Sequence, residues 1–258
     1  MLTLNSDLIQ AWVVTILIPL VRILGFVAIA PFFGNQAISM PIKVAMGILL
    51  AMMIAPAAPA MPTVDLLSLR GILIIAEQMI IGLAIGLMMQ IIFSAIEMAG
   101  QISGMTMGFG FATNYDPQSA GSTIVISQLM GILALLVFLS MNGHLIMISA
   151  LLESFYAFPV TAEPRMIDGM TIAIWGAKLF SISLQLSLPI VATLLITNLA
   201  LGILTKSSPQ LNIFGIGFPI TLCVGFLVIM LMLPTMAAPY QYILEQGMAA
   251  SKTMLKFR

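Results

Sequence analysis

The stretch Gln101–Gly121, QISGMTMGFGFATNYDPQSAG, decides how this chain is read. It carries four glycines, two methionines, three aromatics and a single charge, Asp116. Long apolar segments flank it on both sides. A loop of this length in open water would be rich in Lys, Glu and Ser, whereas this one is glycine and hydrophobe. Non-helical backbone at membrane depth is tolerated only where protein buries it or where it lines a cavity. The stretch is therefore expected to line or close a passage.

Composition agrees. Of 258 residues, 61% are hydrophobic and only 7% charged, and the mean hydropathy is +1.16. Soluble domains carry about 25% charged residues, so the chain reads as an integral membrane protein or the apolar core of an assembly. Net charge is zero, which leaves no electrostatic footprint for nucleic acid. One cysteine, Cys223, permits neither a disulfide framework nor zinc spacing. The 22 methionines are read mostly as fillers of lipid-facing and core positions. The first ten residues contain Asp7 and no Lys or Arg, so a cleavable signal is not expected and the first apolar segment is read as retained.

A spanning helix takes about 20 apolar residues. Candidate segments are 9–30, 42–60, 70–99, 126–156, 172–204 and 213–235. Asn5, Ser6 and Asp7 offer a cap for the first, and Pro31 and Gly34 end it. Pro41 opens the second at a first-turn position, and Pro56, Pro59 and Pro62 close it. The third and fifth segments exceed what a bilayer requires, and Pro19 and Pro189 predict kinks. Such long, bent helices suit packing around an axis. Residues 157–171 form the most ordinary hydrophilic loop, and 236–258 reads as a mildly amphipathic helix ending in Lys252, Lys256 and Arg258. The positive-inside rule assigns the cytoplasm both to that tail and to the turn at Lys206. Only one span separates them, so the two assignments conflict in a simple crossing bundle.

Charges inside such segments are functional candidates by default, and Arg22, Glu77, Glu97 and Lys178 qualify. Arg22 and Glu77 are candidates for a pair. Gln90, Ser94, Glu97 and Gln101 follow the spacing i, i+4, i+7, i+11 and share one helix face. That stripe leads into the glycine-rich stretch. It reads either as a wetted or partner-facing seam, or as helix-end polar residues satisfied by neighbours. Lys178, Ser181 and Gln185 share another face. Gly82 and Gly86 give a small-xxx-small spacing for close helix approach. His144 has no second histidine to build a metal site with, and a hydrogen-bonded structural role is favoured over a proton relay. No nucleophile elbow, phosphate loop, dinucleotide fingerprint or H-E-x-x-H is present, so no catalytic residue, cofactor or metal is expected.

Three segments then point together to a family: MGFGFATNYDPQSAG at 107–121, LLVFLSMNGHLIMISALLESFYAFPV at 135–160 and LGILTKSSPQLNIFGIGFPI at 201–220. In this order and spacing they closely resemble FliR, the flagellar biosynthetic family of the type III export gate, over essentially the whole chain. The resemblance implies an all-α membrane-associated fold of long kinked helices and hairpins. A FliP-like part would cover 1–171, a FliQ-like hairpin 172–235 with its tip at Lys206, Gln210 and Asn212, and a basic tail 236–258. It implies a hetero-oligomer with FliP and FliQ homologues, contact with FlhB and FlhA, membrane lipid, and passage of unfolded flagellar proteins across the inner membrane at the flagellar basal body. It also implies that 105–121 plugs the pore.

On that reading Met105, Met107, Phe109, Phe111, Tyr115 and Asp116 form the plug, with core packing under the loop as the alternative for the aromatics. Gly100, Gly104, Gly108, Gly110 and Gly121 are its hinge and let it fold tightly and move, and Asp116-Pro117 starts a turn. The rival readings are a virulence-type export-gate subunit, a purely structural scaffold, and a secondary transporter using Glu77, Glu97 and Lys178 around a broken segment. No repeat relates 1–125 to 126–258, which speaks against the transporter.

Overall fold

The computed structural model describes residues 6–35, 37–59, 68–109, 125–161, 169–208 and 217–254. Among these the chain is helical and contains no strand. In chain order the helices are α1 (Ser6–Ile29), α2 (Met40–Ile54) with a 3-10 turn at Ala55–Ala57, α3 (Leu69–Thr106), α4 (Val125–Ser140), α5 (Gly143–Ala157), α6 (Gly169–Ser207) and α7 (Phe218–Met254). The all-α membrane-type fold expected from the sequence is present. Four helices are long and apolar enough to cross a bilayer, or up to five if α4 and α5 count together, with Val14–Ile29 a shorter apolar helix.

Helix boundaries follow local chemistry. Pro41 stands in the first turn of α2 behind the N-cap Ser39, where a missing N–H costs nothing. Pro19 and Pro189 lie inside α1 and α6, which continue through them. The long third and fifth segments are longer still in the structure, 38 and 39 residues as α3 and α6.

Two segments differ from the sequence reading. The apolar run 126–156 is two helices, because Asn142 adopts the left-handed conformation with φ of 55° and serves as N-cap of α5. The tail is not a separate amphipathic helix. α7 runs unbroken from Phe218 to Met254 with Pro234 and Pro239 inside it. Proline is tolerated in membrane helices where local adjustment re-satisfies the freed backbone groups.

The chain forms two compact units: Met1–Ile91 with Asn142–Trp175 and Leu244–Arg258, and Ile92–Met141 with Gly176–Ile243. In the first, Ile18, Ile23 and Phe26 of α1, Ile81, Ile85 and Met88 of α3, and Leu151 and Phe155 of α5 are buried. Pro31 ends α1, and Phe32 follows with φ of 74°, an uncommon state for a residue with a Cβ. Its ring meets Phe33 edge-on at 5.2 Å and tilts against His144 at 6.3 Å. His144 packs as the structural reading expects, yet its buried Nδ1 has no hydrogen-bond partner among the described residues.

The second unit is packed around the later part of α3. Ile126, Ser127, Met130, Ala134 and Phe138 of α4 are buried at helical spacing, and Phe138 meets Phe93 edge-on at 5.6 Å. On α6 the hydroxyls of Ser183, Ser187, Thr193, Thr197 and Thr205 each donate to a carbonyl three or four residues earlier in the same helix. Gln185 donates to Ser181 at 3.5 Å, as their shared face predicts. Polar side chains satisfied by their own helix suit apolar surroundings.

α3 is the inner helix. Some 67% of its most apolar window is buried, against 17% for α2 and 22% each for α6 and α7. Contact between α1 and α3 depends on glycine. A Cβ on Gly25 would come 2.7 Å from the Met79 carbonyl oxygen, one on Gly86 would come 3.0 Å from Phe26 O and Ala30 N, and one on Gly82 would overlap the Arg22 carbonyl. The Gly82/Gly86 spacing is thus a helix contact. Gly82→Ala is expected to lower stability by about 1–3 kcal/mol through overpacking, read as a lower melting temperature of the detergent-extracted protein. Gly176→Ala, where a Cβ meets nothing within 4 Å, is expected to raise it by roughly 0.5–1 kcal/mol.

Candidate functional site

The final turn of α3 delivers the chain into the glycine-rich stretch. Met107 is fully buried, whereas Met105, two residues earlier, is 63% exposed. The Met107 amide donates to Ser103 O at 3.0 Å and the Gly108 amide to Met105 O at 3.1 Å, so the helix tightens as it ends. Gly108 then takes φ of 100°, which only glycine adopts without strain. Phe109, half-buried, sets its ring edge-on to Phe226 of α7 at 6.2 Å and 87°. The Thr221 hydroxyl of α7 reaches Met107 O at 3.3 Å.

Of the other residues assigned to the plug and its hinge, Gly110, Phe111, Tyr115, Asp116 and Gly121 lie outside the described residues, as do Gln210 and Asn212 of the hairpin tip. Lys206 is exposed in the last turn of α6. Gly100 and Gly104 are buried within α3. At Gly100 a Cβ would come 2.5 Å from Ser127 Cα, so this glycine lets α4 lie against the α3 backbone.

The polar stripe is graded along α3. Gln90 and Ser94 are half-buried, while Glu97 and Gln101 are exposed. Glu97 lies along α4, where a Cβ on Gly131 would stand 3.2 Å from its Cγ and Oε1. Its backbone oxygen accepts from the Ser127 hydroxyl at 2.8 Å. Among the described residues no group of three His, Cys, Asp or Glu side chains is placed to hold a metal ion.

A second polar centre sits in the first unit. Arg22, in α1, has no exposed surface. Its Nε donates to Gln78 Oε1 at 2.7 Å, and its Nη2 donates both to the same oxygen and to Phe158 O, the latter at 2.8 Å. Nη1 donates to Ser154 Oγ at 3.1 Å, and the guanidinium carbon lies 4.1 Å from the Phe155 ring centroid. Phe158 is the C-cap of α5, where a cation complements the helix dipole. The sequence suggested Glu77 as the partner. The acceptor supplied by α3 is Gln78, and one residue along a helix turns the side chain by about 100°.

Residues 13–247 match the family of bacterial export proteins, family 1. The flagellar biosynthetic protein FliR of Pectobacterium carotovorum subsp. carotovorum is 42% identical over 235 residues, covering 91% of this chain and 90% of that protein. FliR of Escherichia coli (strain K12) is 35% identical over 247 residues, covering 95% and 94%. FliR of Bacillus subtilis (strain 168) is 29% identical over 217 residues, covering 83% of each. The chain belongs to the FliR family of bacterial export proteins. It is accordingly a component of the flagellar export apparatus, and the matched span holds both the end of α3 and the Arg22 centre.

Sequence reasoning flagged Arg22 and the α3 end, yet gave no weight to Gln78, Ser154, Thr221 or Gly225. The available signal was weak: a threonine and a glycine four residues apart in an apolar helix, and a serine one turn before an aromatic helix end. Replacing Arg22 by Ala leaves Gln78 Oε1 and Phe158 O without their donor, and each orphaned buried acceptor costs about 1–3 kcal/mol. Arg22→Ala is therefore expected to reduce the protein retained in membranes and its melting temperature sharply. Arg22→Met combined with Gln78→Leu, which removes both polar partners, is expected to recover part of that loss.

Proposed function

We propose that this FliR-family chain is a pore-forming subunit of the flagellar type III export gate, which passes unfolded flagellar proteins across the bacterial inner membrane at the basal body. It acts in one hetero-oligomer with FliP and FliQ homologues, beside FlhB and FlhA. The FliP-like part is 1–171, the FliQ-like hairpin 172–235 with Lys206, Gln210 and Asn212 at its tip, and the tail 236–258. The observation that carries the reading is the family match along 13–247 to proteins named for flagellar biosynthesis. The flagellar relatives also favour the flagellar over the virulence-type machine.

Physical features support a partnered subunit. Leu49, Met52 and Met53 of α2, Ile196, Leu199 and Ile203 of α6, and Leu227, Met230 and Leu231 of α7 are exposed in the isolated chain. Apolar faces of this extent require lipid or protein to cover them. Closure is assigned to 105–121, with Met105, Phe109 and Phe111 as a deformable seal, Met107 as its buried root, and Gly108, Gly110 and Gly121 as its hinge. The graded stripe Gln90, Ser94, Glu97, Gln101 is the polar approach to it. No step of this function is chemical, so the work of the chain is to hold and shape a passage.

Co-production with its neighbouring subunits followed by native mass measurement tests the assembly. A stable complex containing FliP and FliQ homologues is expected, and a solitary monomer would overturn the reading. Deletion of 107–112, or Gly110→Asp, is expected to raise potassium efflux through the assembled complex. Closed-state efflux at the wild-type level would remove the plug assignment.

A further inference from the structure

Gly225 stands two turns inside α7, where glycine is unfavourable for a helix. Its missing side chain is occupied by another residue. A Cβ built there would lie 2.6 Å from both Cγ and Cε of Met107 and 2.8 Å from its sulfur. Met107 is fully buried and is therefore a knob seated in a backbone hole. One turn earlier on α7, Thr221 is 8% exposed, and its hydroxyl faces Met107 O at 3.3 Å and its own helix's Phe218 O at 2.9 Å. One residue later, Phe226 receives the edge of Phe109. Side chain, carbonyl and next-but-one ring of the α3 exit are thus each met by a consecutive feature of α7. Between them Gly108 makes its positive-φ turn. On α6 the same residue type has no such duty: a Cβ on Gly176 or Gly202 meets nothing within 4 Å.

We propose that Gly225 and Thr221 are positioning residues that seat Met107 and thereby fix where the chain leaves α3 and enters 110–124. The seat rests on the closure reading above, because its purpose is to hold that stretch in its closing position. Methionine suits the hole because it is unbranched and adapts to irregular space. Met105, exposed and unseated, is free to serve the seal, whereas Met107 anchors it. A side chain at 225 expels Met107 and releases the exit while leaving the sequence of the closing stretch intact.

The test uses the full chain in a bacterium carrying its native export apparatus. In a Cys223→Ala background, Ser103→Cys, a near-isosteric thiol at a fully buried position one turn before Met107, reports release of the α3 exit through its rate of modification by N-ethylmaleimide, and potassium efflux reports closure. A thiol buried in apolar surroundings is inert, so adding Gly225→Leu to Ser103→Cys, with Met107 in place, is expected to speed modification by about tenfold or more. Gly225→Leu alone is expected to raise efflux several-fold. Combining it with Met107→Ala, which vacates the space the leucine needs, is expected to return efflux to the wild-type level, an outcome that a merely damaged fold does not give.

Thr221→Val and Thr221→Ser provide a milder pair that decides the question even where the leucine variant does not accumulate. In the Cys223→Ala, Ser103→Cys background valine is expected to accelerate modification, while serine keeps the rate seen with threonine. Equal rates for threonine, serine and valine, or no rescue by Met107→Ala, overturn the seat. If modification is unchanged while deletion of 107–112 leaks, the seat alone fails. A deletion that does not leak removes the closure reading instead, and unchanged efflux despite faster modification overturns the positioning role.

Discussion

A guanidinium with no exposed surface is the constraint that organises the first unit. Among the described residues Arg22 is the one charged side chain that is buried. A charge is costly to remove from water unless its hydrogen bonds are met, and its donors have a fixed fork geometry. That geometry draws together a glutamine of α3 and a serine and terminal carbonyl of α5 around a residue of α1. The neutral Gln78 supplies the acceptor, so the positive charge is not cancelled at the contact itself. The α5 helix end and the Phe155 ring both present partial negative charge to it. Apolar packing alone leaves helices free to slide by a turn at small cost. A fork with named acceptors does not, and here it sets the register of three helices.

The same need for satisfied polar groups explains the rest of the architecture. Serines and threonines of α6 bond back to their own helix, so this 39-residue element presents an apolar outer surface despite its hydroxyls. At the connector after α1, the Lys43 amine reaches the Gly34 carbonyl at 2.8 Å and the Tyr156 hydroxyl donates to the Ala57 carbonyl at the end of the 3-10 turn. Carbonyls that a helix end leaves open are met by long side chains from elsewhere in the unit. Such reach is available only where helices are already close, which returns the argument to the glycines that let α1 and α3 touch.

How much of this was legible in the sequence depended on whether the signal was local. Length and hydropathy reported the excessive third and fifth segments, and proline and capping chemistry reported the start of α2. The break at Asn142 was hidden because both sides of it are equally apolar, and left-handed asparagine has no period to betray it. The continuous α7 was split on paper because its amphipathic end differs in composition from its beginning, although the backbone does not change state there. Arg22 was visible as an anomaly, but its partner was not. Choosing between Glu77 and Gln78 as the hydrogen-bond acceptor requires the rotation of one helix against another. His144 likewise looked hydrogen-bonded on chemical grounds, while among the described residues a phenylalanine ring packs against it and nothing bonds its Nδ1.

The candidate site was half legible for a related reason. A glycine-rich stretch read alone suggests one property, backbone freedom, shared by every glycine in it. The structure divides that property among distinct duties. Gly100 gives α4 room to approach the α3 backbone, Gly108 supplies a positive φ that ends the helical path, and Gly225, more than a hundred positions away, provides the hole that Met107 fills. Only the second of these duties concerns freedom of the backbone; the other two remove volume so that something else can fit. A glycine whose absent side chain is another residue's location acts as a specific contact, and it constrains that residue as tightly as a side chain does. The glycine-rich stretch therefore leaves α3 from a fixed point, even though its composition alone suggests looseness.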